Sequence, residues 1–212
     1  MTDSTATQQG GLRQRKKART RAAIREHALR LFREQGYQAT TVEQIAAAAE
    51  VSPSTFFRYF PTKEDVVLQD DMDTRVIAAF EQQPPGLGPV AALRAALREM
   101  TASLTAAEWE QVREAGMLQM TVPEIRARML DDMNRLTHLM TEALARRTGR
   151  PPEDLAVRTL AGAVFGVMMS VAMPYHGSAD GTLPLTLEFR AAPDMFGRMD
   201  EALALLEAGL PL

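Results

Sequence analysis

The sequence predicts an all-α protein of about nine helices, an N-terminal three-helix unit followed by a larger helical body. Apolar residues recur every three or four positions along nearly the whole chain, which is the period of helices with one buried face. Glycine and proline accumulate between these stretches, where helices end and begin. No stretch has the alternating pattern of a confident strand. With 212 residues, 46% of them hydrophobic, the chain is long enough to bury a substantial core.

Composition excludes several classes of protein. Cysteine is absent, which excludes disulfides, thiolate zinc sites and cysteine nucleophiles. No run of 18 apolar residues is present and the N-terminus is polar, so we expect a cytoplasmic protein with no membrane contact. His27, His138 and His176 are dispersed, and no phosphate-binding or nucleophile motif is found. We therefore predict no metal, no cofactor and no enzymatic activity.

Charge is distributed unevenly along the chain. Residues 1–63 hold 11 of the 24 Lys and Arg residues but 5 of the 27 Asp and Glu residues. This part has a net charge of +6, whereas the whole chain has a net charge of −3. A basic head on an acidic body favours a head that binds a polyanion, and a solvated basic tail is the alternative.

The first three helices follow from their ends and their apolar faces. The first ends at Gly36, a residue type favoured just beyond a helix C-terminus. The second begins where Thr40 and Glu43 have the spacing of a capping box. The third begins at Ser52, with Pro53 at the first helical position. The apolar faces of the three helices contain, in order, Ile24, Ala28, Leu31 and Phe32; Val42, Ile45, Ala46 and Ala49; Phe56 and Phe60.

Six further helices are separated by loops rich in glycine and proline. The fourth helix is capped by Thr62, and Pro123 lies in the first turn of the seventh. Residues 152–172 form the most apolar helix. The loops are predicted at 82–89, 148–151 and 176–193. Apolar positions of the fourth, fifth, seventh and last helices include Leu68, Met72, Val76 and Phe80; Leu93, Leu97, Met100 and Leu104; Ile125, Met129, Met133, Leu136 and Met140; Met195, Met199, Leu203 and Leu206.

Residues 40–63 predict a helix-turn-helix, in which the second helix enters the major groove of DNA. With Phe56 and Phe60 in the core, the small N-terminal residues of that helix and Phe57 remain outside. Phe57 can contact a thymine methyl group, and the basic first helix can follow phosphates or enter the minor groove. A helical hairpin with an aromatic core is the alternative reading of this pattern.

The same region resembles the tetracycline-repressor (TetR) family of one-component regulators over about residues 16–67. The matching motifs are Phe32-x-x-x-Gly36-Tyr37, Thr40-Thr41-x-x-x-Ile45-Ala46 and Val51-Ser52-x-x-Thr55-Phe56-Phe57-x-Tyr59-Phe60-x-x-Lys63-Glu64. Residues 151–163 also resemble the eighth helix of family members with acyl-CoA-like ligand domains.

The basic helix and the resemblance imply two domains and a set of DNA contacts, and the Thr, Gln and Gly content of the N-terminus implies a tail before them. We expect a disordered tail at 1–12, a helix-turn-helix DNA-binding domain at 13–65, and a helical ligand-binding and dimerisation domain at 66–212. The expected DNA contacts are Arg15, Lys16, Arg19, Thr40, Thr41, Pro53, Ser54, Thr55, Phe57, Arg58, Tyr59 and Lys63.

The body is expected to contain a ligand pocket and a dimer interface. The chain has 13 methionines, a residue type that adapts to varied apolar ligands, although each also fits a plain core. The predicted pocket residues are Trp109, Arg113, Met117, Met120, Met133, His138, Phe165, Met168 and Met169, with Arg113 a candidate partner for an anionic head group. The predicted interface residues are Leu160, Ala163, Val164, Val167, Met199, Leu203 and Leu206.

These expectations define one functional hypothesis and two alternatives. The hypothesis is a homodimeric repressor, released from a palindromic operator in double-stranded DNA by a small apolar or acyl-CoA-like effector. The fourth helix, at 63–80, is expected to transmit the change between the domains. The alternatives are a helical enzyme with an apolar substrate, and a constitutive DNA-binding protein that has no ligand pocket.

Overall fold

Ten helices make up the part of the chain that the computed structural model describes, residues 3–68, 72–172 and 192–210. This part contains no strand, so the all-α prediction is confirmed. The helices are α1 (Asp3–Gln35), α2 (Val42–Ala48), α3 (Pro53–Tyr59), α4 (Asp65–Leu68), α5 (Met72–Gln82), α6 (Pro89–Ala102), α7 (Ala106–Thr121), α8 (Pro123–Thr148), α9 (Leu155–Ala172) and α10 (Ala192–Glu207).

The helices differ from the predicted ones in two places. The helix α1 begins at Asp3, whereas residues 1–12 are predicted to lack regular structure. Each residue added to an existing helix gains one hydrogen bond, which allows a polar segment to continue it. The predicted fourth helix is described as two, α4 and α5, on either side of residues 69–71, which lie outside the described part. Most of the loop predicted at 176–193 also lies outside it.

The capping box of α2 is one residue further along the chain than predicted. Thr41 accepts a hydrogen bond from the backbone N–H of Gln44, and the Gln44 side chain accepts one from the backbone N–H of Thr41. Thr40 is instead buried, and its hydroxyl donates to the carbonyl of Gly36 at 2.8 Å. The residue type allows either Thr40 or Thr41 to cap the helix. Because Thr40 is buried and bonded to Gly36, Thr41 is the cap.

Two clusters of buried apolar residues form the core. The first core cluster joins α1–α4 to the facing parts of α7 and α8. The second core cluster joins α5, α6, α8, α9 and α10. The largest fully buried side chains of the first are Ile24, Leu29, Ile45, Phe56, Phe60, Val66, Val67 and Ile125, and those of the second are Phe80, Leu93, Leu144 and Leu203.

The last turn of α8 holds the loop between α5 and α6. The guanidinium of Arg147 donates to the carbonyls of Gln83, Pro84 and Leu87 at distances of 3.2, 2.6 and 3.0 Å. It also lies 5.2 Å from the centre of the Phe80 ring. A loop composed of glycine and proline therefore has several of its carbonyls bound by one charged side chain.

Candidate DNA-binding surface and effector cavity

The turn between α2 and α3 fixes the angle at which α3 leaves the head. Glu50 adopts a φ of 54°, in the left-handed region, and the N–H of Val51 donates to the carbonyl of Ala46 at 2.9 Å. Ser52 then caps α3 by accepting from the N–H of Thr55 at 3.1 Å. Both ends of the turn are thus closed by hydrogen bonds, which places α3 in a defined position against α2.

The faces of α3 divide as the sequence predicts except at Tyr59, which is partly buried against the first core cluster instead of lying outside. Phe56 and Phe60 are fully buried in the first core cluster. Pro53, Ser54 and Arg58 are exposed, and the ring of Phe57 is 50% exposed although it is large and apolar. Burial of an aromatic ring is strongly favourable, so an exposed ring in this position suits a surface that another molecule covers.

Basic residues of α1 lie beside the end of α3. Arg15, Lys16 and Arg19 are exposed. The guanidinium of Arg21 donates to the carbonyl of Tyr59 at 3.0 Å and lies 4.3 Å from the centre of the Phe60 ring. These contacts connect the basic helix to the last turn of α3, and Arg15, Lys16 and Arg19 lie on the same helix.

Two of the predicted DNA contacts take part in bonds inside the head. Lys63 Nζ donates to the carbonyls of Tyr37 and Thr40 at 2.9 and 3.0 Å, and lies 3.9 Å from the centre of the Tyr37 ring. Thr40 is buried. A phosphate contact by Lys63 would therefore compete with two carbonyl bonds, and the Thr40 side chain is turned away from the surface.

A buried tyrosine and a carboxylate stabilise the same corner. The hydroxyl of Tyr37 donates to Glu64 Oε1 at 2.6 Å. Burial raises the pKa of Glu64. Hydrogen bonds to its carboxylate from Tyr37, from its own backbone and from Thr62 outweigh this effect and leave the pKa below its usual value. Burial, together with the bond to Glu64, raises the pKa of Tyr37 well above its usual value. Each group therefore favours its ordinary charge state at neutral pH.

The head is attached to the body through α7 and α8. Asp65 is buried, accepts from the N–H of Thr62 at 2.9 Å and lies 3.4 Å from the guanidinium of Arg128. Arg33 of α1 forms an ion pair with Glu114 of α7. Apolar contacts join the same elements, because the first core cluster includes Ala115, Val122 and Ile125. We call this set of contacts the junction.

The seven helices from α4 to α10 surround a cavity of about 260 Å³ in the body. Most of its wall is apolar, and every helix from α4 to α10 contributes to it. Leu68 and Ala115 line the cavity and also belong to the first core cluster, so the wall and the head share side chains. The sequence-predicted residues that line the cavity are Phe165, Met168 and Met169.

Several other predicted pocket residues lie elsewhere. Arg113 is on the surface and pairs with Glu110, and His138 is exposed with Glu142 beside it at 3.2 Å. The Met117 side chain is also exposed, and Met133 is partly buried outside the cavity lining. These are corrections: helical spacing limits a residue to a face of its helix, but which faces meet depends on the neighbouring helices.

Trp109 does not line the cavity but contacts a residue that does. Its ring lies 5.6 Å from that of Phe196 in an edge-on arrangement, and Phe196 lines the cavity. Trp109 therefore supports the wall from behind. The side chain of Met120 is outside the described part.

Sequence reasoning missed the polar end of the cavity. Asp73 and Asp132 line it, and Arg135 pairs with both at 2.8 Å. Burial raises the pKa of Asp132, and the Arg135 guanidinium only partly opposes this effect. The available signal was the i, i+3 spacing of Asp132 and Arg135 on a helix whose apolar face carries methionines.

Three of the predicted interface residues are buried within the chain. Val164, Met199 and Leu203 belong to the interior, with Val164 and Leu203 in the second core cluster, so they are not available to a partner. Leu160, Val167 and Leu206 are partly buried against that cluster, and Ala163 is partly buried. The exposed face of α9 is instead formed by Leu155, Thr159, Gly162, Gly166 and Ser170.

Within the described residues, no group of three His, Cys, Asp or Glu side chains is arranged to hold a metal ion. None of the helices described here has the length and apolar character needed to cross a membrane.

Comparison with known proteins gives two family matches and several relatives. Residues 24–69 match bacterial regulatory proteins of the tetR family, and residues 87–211 match the MftR C-terminal domain. The transcriptional regulator TcmR of Streptomyces glaucescens is 37% identical over 87% of this chain and 85% of its own length. MftR of Mycobacterium tuberculosis is 27% identical over 86% of this chain and 92% of its own.

Solved structures agree with these matches. FadR of Thermus thermophilus, a TetR-family repressor in complex with lauroyl-CoA, is 26% identical with a TM-score of 0.50, covering 91% of this chain and 95% of that one. A TetR-family regulator of Syntrophomonas wolfei has the same fold, with a TM-score of 0.58 at 18% identity over 92% and 97% of the two chains. The chain therefore belongs to the TetR family, whose members are DNA-binding transcriptional regulators and not enzymes.

Proposed function

We propose that this regulator is a homodimeric repressor that a small apolar effector releases from a palindromic operator. The observation that carries the proposal is the continuity between its two surfaces. An exposed recognition helix lies at one end, an apolar cavity lies at the other, and Leu68 and Ala115 belong to both the cavity wall and the core beneath that helix.

The DNA contacts divide by chemistry. Pro53, Ser54 and Phe57 are placed to face base edges or thymine methyl groups, since they are exposed at the start and on the outer face of α3. Arg58 is exposed and suits phosphate. The remaining proposed phosphate or groove contacts are Arg15, Lys16, Arg19, Thr41, Thr55 and Tyr59. In this proposal Thr40 and Lys63 support the motif from inside.

Dimerisation is proposed through the exposed faces of α9 and α10. Leu155 is 78% exposed, and Gly162 and Gly166 follow it on the same face of α9. Leu205 of α10 is 53% exposed. Large exposed apolar side chains beside small residues suit close packing of helices from two protomers. Such a dimer presents two recognition helices to half-sites about 34–36 Å apart on DNA.

The effector is proposed to occupy the cavity. A lined apolar volume of about 260 Å³ favours a ligand-responsive protein over a constitutive DNA-binding protein with a filled body. The lauroyl-CoA bound to FadR of Thermus thermophilus makes an acyl-CoA-like molecule the alternative effector to test.

Coupling between effector binding and DNA binding follows from the junction and from the side chains that the cavity wall shares with the first core cluster. An effector that needs a different spacing of α4, α7 and α8 changes the surface on which the head rests. A hundredfold loss of DNA affinity needs about 2.7 kcal/mol of coupling free energy, which is within the usual range. Effector and operator are then expected to weaken each other's binding by the same factor.

Selection of random duplex DNA by the purified protein at about 150 mM salt tests the proposal. We expect a palindrome with half-sites about one helical turn apart. Phe57→Ala is expected to lose at least about tenfold in affinity for that site while unfolding as the wild type does. The matched control is Leu87→Ala, another exposed apolar residue far from the head. No enriched sequence, or equal binding to all DNA, would refute an operator-specific repressor.

A further inference from the structure

The cavity has charge at one end only among the side chains described. Asp73 of α5 and Asp132 of α8 line the wall there. Arg135 Nη2 lies 2.8 Å from Asp73 Oδ2, and Arg135 Nε donates to Asp132 Oδ1 at 2.8 Å. Both carboxylates line the cavity, whereas Arg135 is not among the lining residues.

Asp132 retains one oxygen for a further partner. Both contacts from Arg135, through Nε and Nη2, go to Oδ1. The other oxygen, Oδ2, makes no hydrogen bond to any residue in the described part of the chain, and the side chain is only 14% exposed. Burial raises the pKa of Asp132 despite the neighbouring guanidinium, so its anion gains from an additional donor, and most from a charged one.

Apart from Gln119 and Thr137, the rest of the wall is apolar and suits a ligand with a hydrocarbon body. Val76, Leu97, Phe165 and Met168 are among the side chains that surround the volume. At about 260 Å³ the cavity suits a hydrocarbon cage or a pair of fused rings. A carboxylate on such a molecule would meet Asp73 and Asp132 at short range, which is unfavourable in a site of low dielectric constant.

From this arrangement we propose that the effector is an apolar organic amine whose ammonium group binds Asp132 while its hydrocarbon fills the cavity. The proposal rests on the effector-responsive function proposed above and names the ligand class for that cavity. The position also suits regulation, because Arg128, which pairs with Asp65 of the junction, lies one helical turn before Asp132 on α8.

Three probes with one adamantane cage and different head groups test this assignment: adamantylmethylamine, adamantylmethanol and adamantanecarboxylate. Calorimetric titration of the wild-type protein is expected to show the amine binding at least about tenfold tighter than either other probe. Asp132→Asn should weaken amine binding about tenfold and leave alcohol binding nearly unchanged. Asp131→Asn, an exposed neighbour with the same charge change, is the matched control and should affect none of the three.

Equal or tighter binding of the carboxylate or the alcohol by the wild type would overturn the amine assignment, even if Asp132→Asn failed to fold. Retention of the amine preference in folded Asp132→Asn would also overturn it. If lauroyl-CoA releases the operator and the amine does not bind, the amine assignment fails and the proposed function stands. If neither ligand binds, the amine assignment fails, and if DNA selection also enriches no palindrome, the proposed function fails with it.

Discussion

Phe57 and Lys63 belong to the same motif, yet their surroundings differ. Phe57 is half-exposed and contributes little to the core, whereas Lys63 holds two backbone carbonyls and faces the Tyr37 ring. A sequence motif identifies both as residues of a DNA-binding head. Only the structure separates the side chain that is free to meet DNA from the one that maintains the head.

This difference predicts the behaviour of Lys63→Ala. Loss of two charge-assisted hydrogen bonds should lower the free energy of unfolding by about 1–3 kcal/mol, measured by urea denaturation. Lys17→Ala removes the same charge from an exposed position of α1 and should leave stability nearly unchanged. Unchanged stability, with a salt slope for DNA binding reduced by about one, would instead make Lys63 a phosphate contact.

Tyr37→Phe is predicted to destabilise the protein in a pH-dependent way. Its hydroxyl helps to keep the pKa of Glu64 below the usual value, so that contribution is present above about pH 4.3 and is lost as pH falls through the lower, folded pKa. The wild type should exceed the variant by about 1 kcal/mol at about pH 7, and by less at about pH 3. Urea denaturation at both pH values measures this.

The matched control for that experiment is Tyr59→Phe. The hydroxyl of Tyr59 has no hydrogen bond among the residues described, so its removal should not change the pH profile of stability. A difference between the wild type and Tyr37→Phe that is constant with pH would contradict a role for Glu64.

At the scale of elements, the helix-turn-helix depends on one residue in the left-handed region. Glu50 has a φ of 54°, where a side chain is strained and glycine is not. Glu50→Gly should therefore raise the free energy of unfolding by up to about 1 kcal/mol. Glu43→Gly, in the helical part of α2, should lower it by about the same amount. Thermal and urea unfolding of both variants measures these changes. A loss of stability in Glu50→Gly would show that the backbone at Glu50 is not strained.

Sequence predicted elements better than it predicted the site. Helix caps and glycine ends are local signals, and Ser52 and Gly149 act as caps in the structure. The cavity depends on how seven helices face one another, which periodicity does not determine. Arg113 and His138 were therefore misplaced, while Asp132 and Arg135 were missed.

At the scale of the whole molecule, the core does not follow the boundary expected near residue 65. The first core cluster takes Ala115, Val122 and Ile125 from α7 and α8. These contacts join residues far apart in the sequence, and no local pattern signals them. The head therefore rests on the body through a packed surface as well as through the connection at 63–80, which was the expected route of transmission.

Gly162→Glu tests the proposed dimer without disturbing the protomer. Gly162 is exposed, nothing lies within 4 Å of a Cβ built there, and glutamate favours a helix more than glycine does. Sedimentation equilibrium should show a folded monomer that has lost operator affinity. Gly86→Glu adds the same charge at an exposed loop with equal space and should remain dimeric. If Gly162→Glu remains dimeric, the dimer interface does not include this face of α9.

The contact between Trp109 and Phe196 has a practical consequence. Trp109 is the single tryptophan of the chain, and its indole ring packs against a side chain of the cavity wall. Its intrinsic fluorescence therefore comes from one place, directly behind the binding volume. Rapid mixing with a ligand can follow the emission as the volume fills, while labelled DNA reports dissociation. The two time courses would show whether the cavity is occupied before the DNA leaves, with no dye attached to the protein.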